Sequence, residues 1–287
     1  MIDVAWMILG LVVLAPAGAI AANSAAGRIT VYGGSAIVCM GFVWFGFAAL
    51  TSPVQRVVLP LGLPWIGTNL RLDALSGFFL LLVGIGGAGA SLFALGDARQ
   101  EARPGRVLPF YPTFLAAMAM VVVADDAFTF VFAWELMSLT SWLLVMAHQQ
   151  QAGNAGAGFV YLTMATFSGL VLLLAFGLLA SAQGAYAFDS IRDNPPGAAV
   201  AAVVLIVALI GAGSKAGLVP LHVWLPLAHP AAPSHVSALM SGVMTKVAIY
   251  GFVRIVFDLL APAPWWAASL VLVLGGITAV LGVLHAL

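Results

Sequence analysis

The sequence predicts an all-α polytopic membrane helix bundle of about nine transmembrane helices, one of them broken. Three observations carry that prediction. The 287 residues are 63% hydrophobic and 7% charged, where a soluble domain carries roughly 25% charged residues. Mean hydropathy is +1.12. The apolar residues also come in continuous runs, each close to the roughly 20 residues that cross a bilayer, and do not alternate with polar ones as barrel strands must.

Charge and cysteine content exclude several classes of function. Net charge is zero and the sequence pI is near 7.0, so there is no basic face for nucleic acid and no acidic tail for a basic partner. Cys39 is the only cysteine, which rules out an internal disulfide and any cysteine-ligated iron–sulfur cluster built by this chain alone. No cofactor or redox centre is assigned to it.

Taken in order, the segments run over 4–22, 33–50, 74–95, 108–124, 127–147, 157–181, 197–225, 233–257 and 264–285. The first ends in small residues, as a cleaved signal would. It begins with Asp3 instead of a Lys/Arg-rich stretch and is long enough to span, so it reads as a retained helix. Arg28, Arg99, Arg103 and Arg106 fall in loops on one side; Arg56, Arg71, Arg192 and Arg254 fall on the other. The clustering of Arg99, Arg103 and Arg106 in one short loop decides the orientation, because the positive-inside rule has most force there. The N-terminus and the Asp125-Asp126 turn are then outside.

Segment seven is too long and carries Gly211, Gly213, Gly217 and Pro220 in its second half. A proline inside a helix removes a backbone hydrogen bond and clashes with the preceding turn. Two half-helices with an irregular middle are expected, a form found where backbone lines a protein-enclosed or wet cavity; the plainer reading is a simple proline kink.

Of the ten acidic and ten basic residues, only Glu135, Lys215 and Lys246 fall well inside a predicted span. Asp73 opens segment three, and the others lie in loops or at their edges. A charge at mid-membrane costs about 2.5–3.5 kcal/mol on insertion scales. A structural ion pair between Glu135 and one lysine is one explanation, but buried pairs seldom outperform apolar packing, and a lysine is left over. One acid and two bases on segments five, seven and eight fit a proton relay. Burial disfavours the charged form of a lysine and a nearby carboxylate favours it, so helix movement can load or release a proton; arginine stays protonated.

His222, just after the break, is suited to passing protons between waters, or simply donates to a carbonyl. His229 and His235 flank the turn HPAAPSH with no cysteine or carboxylate beside them, so no metal site is assigned. Ser237, Ser241, Gly242 and Thr245 on segment eight, with Ser138, Thr140 and Ser141 on segment five, permit close helix approach and can hold water. Trp134, Trp142 and Trp224 read as packing residues.

The run GSKAGLVPLHVWLPLAHPAAPSHVSALMSGVMTKVAIYGFVRI, with FTFVFAWELMSLTSWLLV and LRLDALSGFF in the same order, resembles the proton-translocating, antiporter-like membrane subunits of complex I and membrane-bound hydrogenases. It is most similar to the branch of hydrogenase-4 component B and formate hydrogenlyase subunit 3. The resemblance implies a proton relay of Glu135, Lys215, His222 and Lys246, supported by Asp73, Ser241 and Pro220. It implies partners too: further membrane subunits and a peripheral hydrogenase or dehydrogenase module, in the inner membrane of a bacterium. It also implies an N-terminal three-helix part (1–107), a half-channel repeat (108–257) and the start of a second, inverted repeat (258–287). The missing second half-channel is then expected beyond Leu287 or on another chain. Two other readings stand beside this one: a subunit of a multi-subunit sodium/proton antiporter with no redox partner, and a passive anchor for a soluble hydrogenase module.

Overall fold

The computed structural model describes the chain apart from residues 65, 98–100, 102, 181–183, 185, 261–263 and 287, with only the backbone described at 285–286. Arg99 of the basic loop lies outside the described residues. Among those described, nine helices are long and apolar enough to cross a membrane: α1 Ile2–Ala21, α2 Ala25–Ala49, α3 Ala74–Asp97, α4 Pro104–Val123, α5 Ala127–His148, α6 Asn154–Leu179, α7 Ala198–Ala216, α8 Ser234–Leu259 and α9 Ala267–Leu284. The polytopic helical bundle is as the sequence predicts.

α2 starts eight residues before the expected 33. Ser24 Oγ accepts from Gly27 N (2.9 Å) and caps it. Arg28 is tolerated one turn in, because a long basic side chain reaches the interface from a helix end. α2 packs most extensively on α3. Bare glycine backbone permits this: a methyl on Gly84 would lie 2.7 Å from Cys39 O. α4 is the most enclosed span and α9 the least, so the core sits around Phe114, Leu115, Met118, Val121 and Val122 of α4.

The expected loop between α2 and α3 is a β-hairpin, β1 Gln55–Leu63 and β2 Gly67–Leu72. Gln55 pairs with Leu72 and Leu59 with Thr68, and the register shifts before Leu63 and Gly67. β2 alternates, burying Thr68, Leu70 and Leu72, but so short a period-two pattern is overshadowed by the spanning runs beside it. The hairpin ties two other loops to itself. Asp125 N donates to Asn69 O (2.8 Å), Phe188 N to Asp125 O (3.0 Å) and Ala127 N to Tyr186 O (2.9 Å). Asp126 caps α5 by accepting from Thr129 N (2.7 Å) and, with its other oxygen, accepts from Asn69 N (2.9 Å).

A charge network lies on the same side. Arg254 donates to the two oxygens of Asp73 (2.8 and 2.9 Å) and to Asp258 (2.9 Å). Arg192 pairs with Asp125 (3.0 Å), Asp189 (2.6 Å) and Asp258 (2.8 Å), Arg71 with Asp73 (3.1 Å), and Arg56 with Asp189 (2.5 Å). The sequence counts Arg254 with the loops; the structure puts it in the last turns of α8, with Asp258 one residue from the helix end. α8 runs on through a π-helical stretch, Arg254–Leu259, and Arg254 is 3% exposed. Its partner Asp73 is 181 positions away, a pairing that no local pattern discloses.

Burial pushes the Asp73 carboxyl up, but hydrogen bonds and charge from Arg254, the Ser76 N–H and Arg71 outweigh it and hold the group well below the usual carboxylate range. A depressed folded-state value contributes stability above the ordinary aspartate pKa of about 3.9, which is lost as pH falls toward the folded value. Arg254→Ala is therefore predicted to destabilise the bundle by roughly 3–5 kcal/mol at neutral pH. Thermal unfolding of the solubilised protein reads this directly, and an unchanged midpoint would contradict it.

Candidate functional site

Glu135 lies near the middle of α5, in the run WELMSLTS. Helical spacing sets Trp134, Ser138 and Ser141 on one face. Ser138 Oγ donates to Trp134 O (2.9 Å) and Ser141 Oγ to Met137 O (2.6 Å). Hydroxyls bonded back to the preceding turn keep their lone pairs available to accept. Lys215 Nζ donates to Ser138 Oγ at 2.6 Å.

Local sequence explains why a lysine stands there. Gly217, at φ +81°, ends α7 by donating to Gly213 O and Ser214 O, a left-handed closure that glycine makes without penalty. Lys215 thus falls in the last turn, where the carbonyl end of a helix favours a cation. Trp224 Nε1 donates to Ser214 O (2.8 Å), a second and shorter bond to a carbonyl in the helix's last turn. Residues 218–224 form turns that include a cis Val219–Pro220 bond. The short helix Leu225–Ala231 follows. The expected broken helix is present, with its break at Gly217–Trp224; Gly211 and Gly213 remain helical.

The Lys215 side chain is 1% exposed. Besides Ser138 it reaches Tyr161 OH (3.4 Å) and lies 5.3 Å from that ring's centroid, a favourable place for a cation. Tyr161 OH is 2.6 Å from Ser141 Oγ and 3.6 Å from Met244 Sδ of α8. Lysine, serines and tyrosine therefore make a continuous set of proton-carrying groups enclosed by α5, α6 and α7. Tyr161 is absent from the sequence reading. Its signal is a phenol inside an apolar span, which needs a partner when buried.

Glu135 is half-buried. It lines a cleft of about 590 Å³ together with Phe128, Phe132, Leu173 and Phe176, and is the only charged group among the described lining. It is an electrostatic neighbour of Lys215, yet the lysine's proton is given to Ser138, not to the carboxylate.

The other sequence candidates lie apart. Lys246 is on the exposed face of α8, two residues and so roughly 200° round from the buried Met244. Its Nζ donates to Ser241 O (2.7 Å), which also accepts from Thr245 Oγ1 (2.7 Å). These bonds fall at a π-helical stretch, Met240–Met244, of a kind frequent at functional sites. His222 is half-buried in the turn after α7, and Pro220 is exposed. Asp73 belongs to the charge network and does not join Glu135 and Lys215. His229 Nδ1 meets Ser237 Oγ (2.9 Å), whereas His235 Nε2 meets Tyr32 OH (3.3 Å), so the two histidines of HPAAPSH have separate partners.

The family model described as NADH:quinone oxidoreductase/Mrp antiporter, TM, matches residues 124–287. Hydrogenase-4 component B of Escherichia coli (strain K12) is 41% identical over 223 residues, covering 76% of this chain and 33% of that protein. The putative antiporter subunit mnhA2 of Staphylococcus aureus (strain MRSA252) is 31% identical over 235 residues, covering 73% of this chain and 29% of its own length. The chain thus spans about a third of these curated relatives. In fold it is similar to a chain of the Mrp complex from Dietzia sp. DQ12-45-1b, with TM-score 0.70, 23% identity, and coverage of 91% of this chain and 50% of that one.

A buried charge kept for structure and one kept for chemistry respond oppositely to removal. Lys215→Met, which replaces a desolvated ammonium with an apolar chain of similar length, is predicted to leave thermal stability unchanged or raise it by about 1–4 kcal/mol. Ser138→Ala, which removes the acceptor and leaves the ammonium buried, is predicted to lower it by about 1–3 kcal/mol. Destabilisation by Lys215→Met would identify the lysine as a structural tie.

Proposed function

The chain belongs to the NADH:quinone oxidoreductase/Mrp antiporter transmembrane family, and from that premise we propose that it moves protons across a bacterial inner membrane as a subunit of a redox complex of the hydrogenase-4, formate hydrogenlyase or NADH-quinone oxidoreductase type. The carriers in this proposal are Glu135, Lys215, His222 and Lys246. The observation that carries it is the Lys215 ammonium, enclosed at a helix break and bonded to hydroxyls, with a carboxylate close enough to feel its charge. That arrangement stabilises neither charge state strongly, as a carrier requires. Ser241 holds Lys246 through its carbonyl, Pro220 belongs to the turn that ends the lysine's helix, and Asp73 anchors Arg254 and hence α8.

In the proposed complex, electron transfer takes place in a peripheral hydrogenase or dehydrogenase module and further membrane subunits complete the path. The N-terminus and the hairpin face outward. Residues 108–257 form the half-channel repeat, behind an N-terminal part of residues 1–107 and ahead of the start of a second repeat at 258–287. Moving one charge against 100 mV takes about 2.3 kcal/mol, which the redox reaction supplies. The likeness to an antiporter subunit supports a second reading, sodium/proton exchange with no redox partner.

Everted vesicles carrying the whole complex separate these readings. The redox reading predicts proton uptake that follows electron flow without sodium; uptake that needs sodium and ignores electron flow would establish the antiporter reading instead. Glu135→Gln and Lys215→Ala are predicted to abolish uptake while the complex still assembles, and normal pumping by both would end the relay. Lys246→Arg is predicted to pump poorly, because guanidinium keeps its proton; a wild-type rate would make Lys246 a static charge.

A further inference from the structure

We infer that Gly169 of α6 is a positioning residue for Glu135, and that with Ser168 it fixes the separation of the relay's acid and base; this rests on the relay proposed above. A methyl built on Gly169 would overlap Glu135 Oε1 and lie 2.7 Å from the carboxyl carbon. The carboxylate is therefore seated on bare helix backbone, in space that any other residue would occupy. No described residue donates a hydrogen bond to Glu135, and the bare backbone at Gly169 bounds its carboxylate on the α6 side. Of the other glycines of α6, Gly156 and Gly177 have nothing within 4 Å of a built methyl, whereas a methyl on Gly158 would meet the Met146 thioether. Within α6, only at Gly169 is the space taken by an ionisable group.

Ser168 performs the matching task for the base. It is fully buried. Trp134 Nε1, beside Glu135, donates to its Oγ (3.3 Å), and that Oγ donates to Gly211 O (2.7 Å), one turn before Lys215. A methyl on Gly211 would meet Leu172 at 2.9 Å and Ser168 O at 3.2 Å, so α6 and α7 are in close contact at this level. One dipeptide of α6 thereby registers α5 at the acid and α7 at the base. A side chain at 169 displaces the carboxylate from this seat and so changes its separation from Lys215. Misplacement of a reacting group by about 1 Å can cost up to roughly a hundredfold in rate.

Proton uptake by the intact complex, compared at equal assembly, tests this. Gly169→Ala is expected to slow uptake roughly tenfold or more, while Gly156→Ala leaves it at the wild-type rate. Adding Glu135→Asp, one methylene shorter, to Gly169→Ala is expected to restore uptake above the single variant, a sign of coupling that general destabilisation does not produce. Wild-type uptake by Gly169→Ala, or a double variant no better than the single, would overturn the inference. Should Gly169→Ala fail to assemble, the same rescue is read as assembly of the double variant, and no rescue overturns it. Loss of uptake in Glu135→Gln beside normal uptake in Gly169→Ala defeats this inference alone; normal uptake in Glu135→Gln defeats this inference too and, joined by normal uptake in Lys215→Ala, defeats the relay.

Discussion

The hydrogen bond from Lys215 Nζ to Ser138 Oγ is the interaction on which the rest of the site depends. An ammonium at membrane depth must be solvated by protein, and the choice of solvent decides what it can do. A carboxylate in contact would fix its proton in a static pair. A serine hydroxyl and a tyrosine satisfy the charge without neutralising it, leaving the more distant Glu135 to bias the balance. The ended helix, the Trp224 bond to the Ser214 carbonyl and the glycine-seated carboxylate all serve that arrangement.

The hairpin side provides the stationary frame. Four arginines and four aspartates there bind the ends of α3 and α8 to the loops before α5 and α7. These ions are in direct contact, unlike Glu135 and Lys215. The contrast separates charges paired in direct contact from the two that the proposed relay uses. It also separates two regions of α8: Arg254 locks one end, while Lys246, at mid-helix, reaches back to the Ser241 carbonyl of a π-helical stretch.

Much of the fold was legible because hydrophobic length is a strong signal, and each span lies near its apolar run. The hairpin was not, since its alternation is short and the runs on either side dominate. The burial of Arg254 was not legible either, because its partner is remote in sequence. Glu135 and Lys215 stood out as ionisable groups in apolar sequence, and Gly217 with Pro220 marked the break. Tyr161, Ser168 and Gly169 did not stand out: a tyrosine, a serine and a glycine are ordinary in a membrane helix. Their part follows only from which helix faces which. Lys246 shows the converse, being conspicuous in sequence and yet on the opposite face of its helix from the Lys215 cluster.

The central claim is that Glu135 changes protonation while the complex works. Infrared difference spectra of the intact complex, recorded between resting and electron-transferring states, measure this at the carboxyl C=O stretch. The account predicts a protonated-carboxyl band that changes on energisation and is missing in Glu135→Gln. An identical spectrum in the two proteins would contradict it.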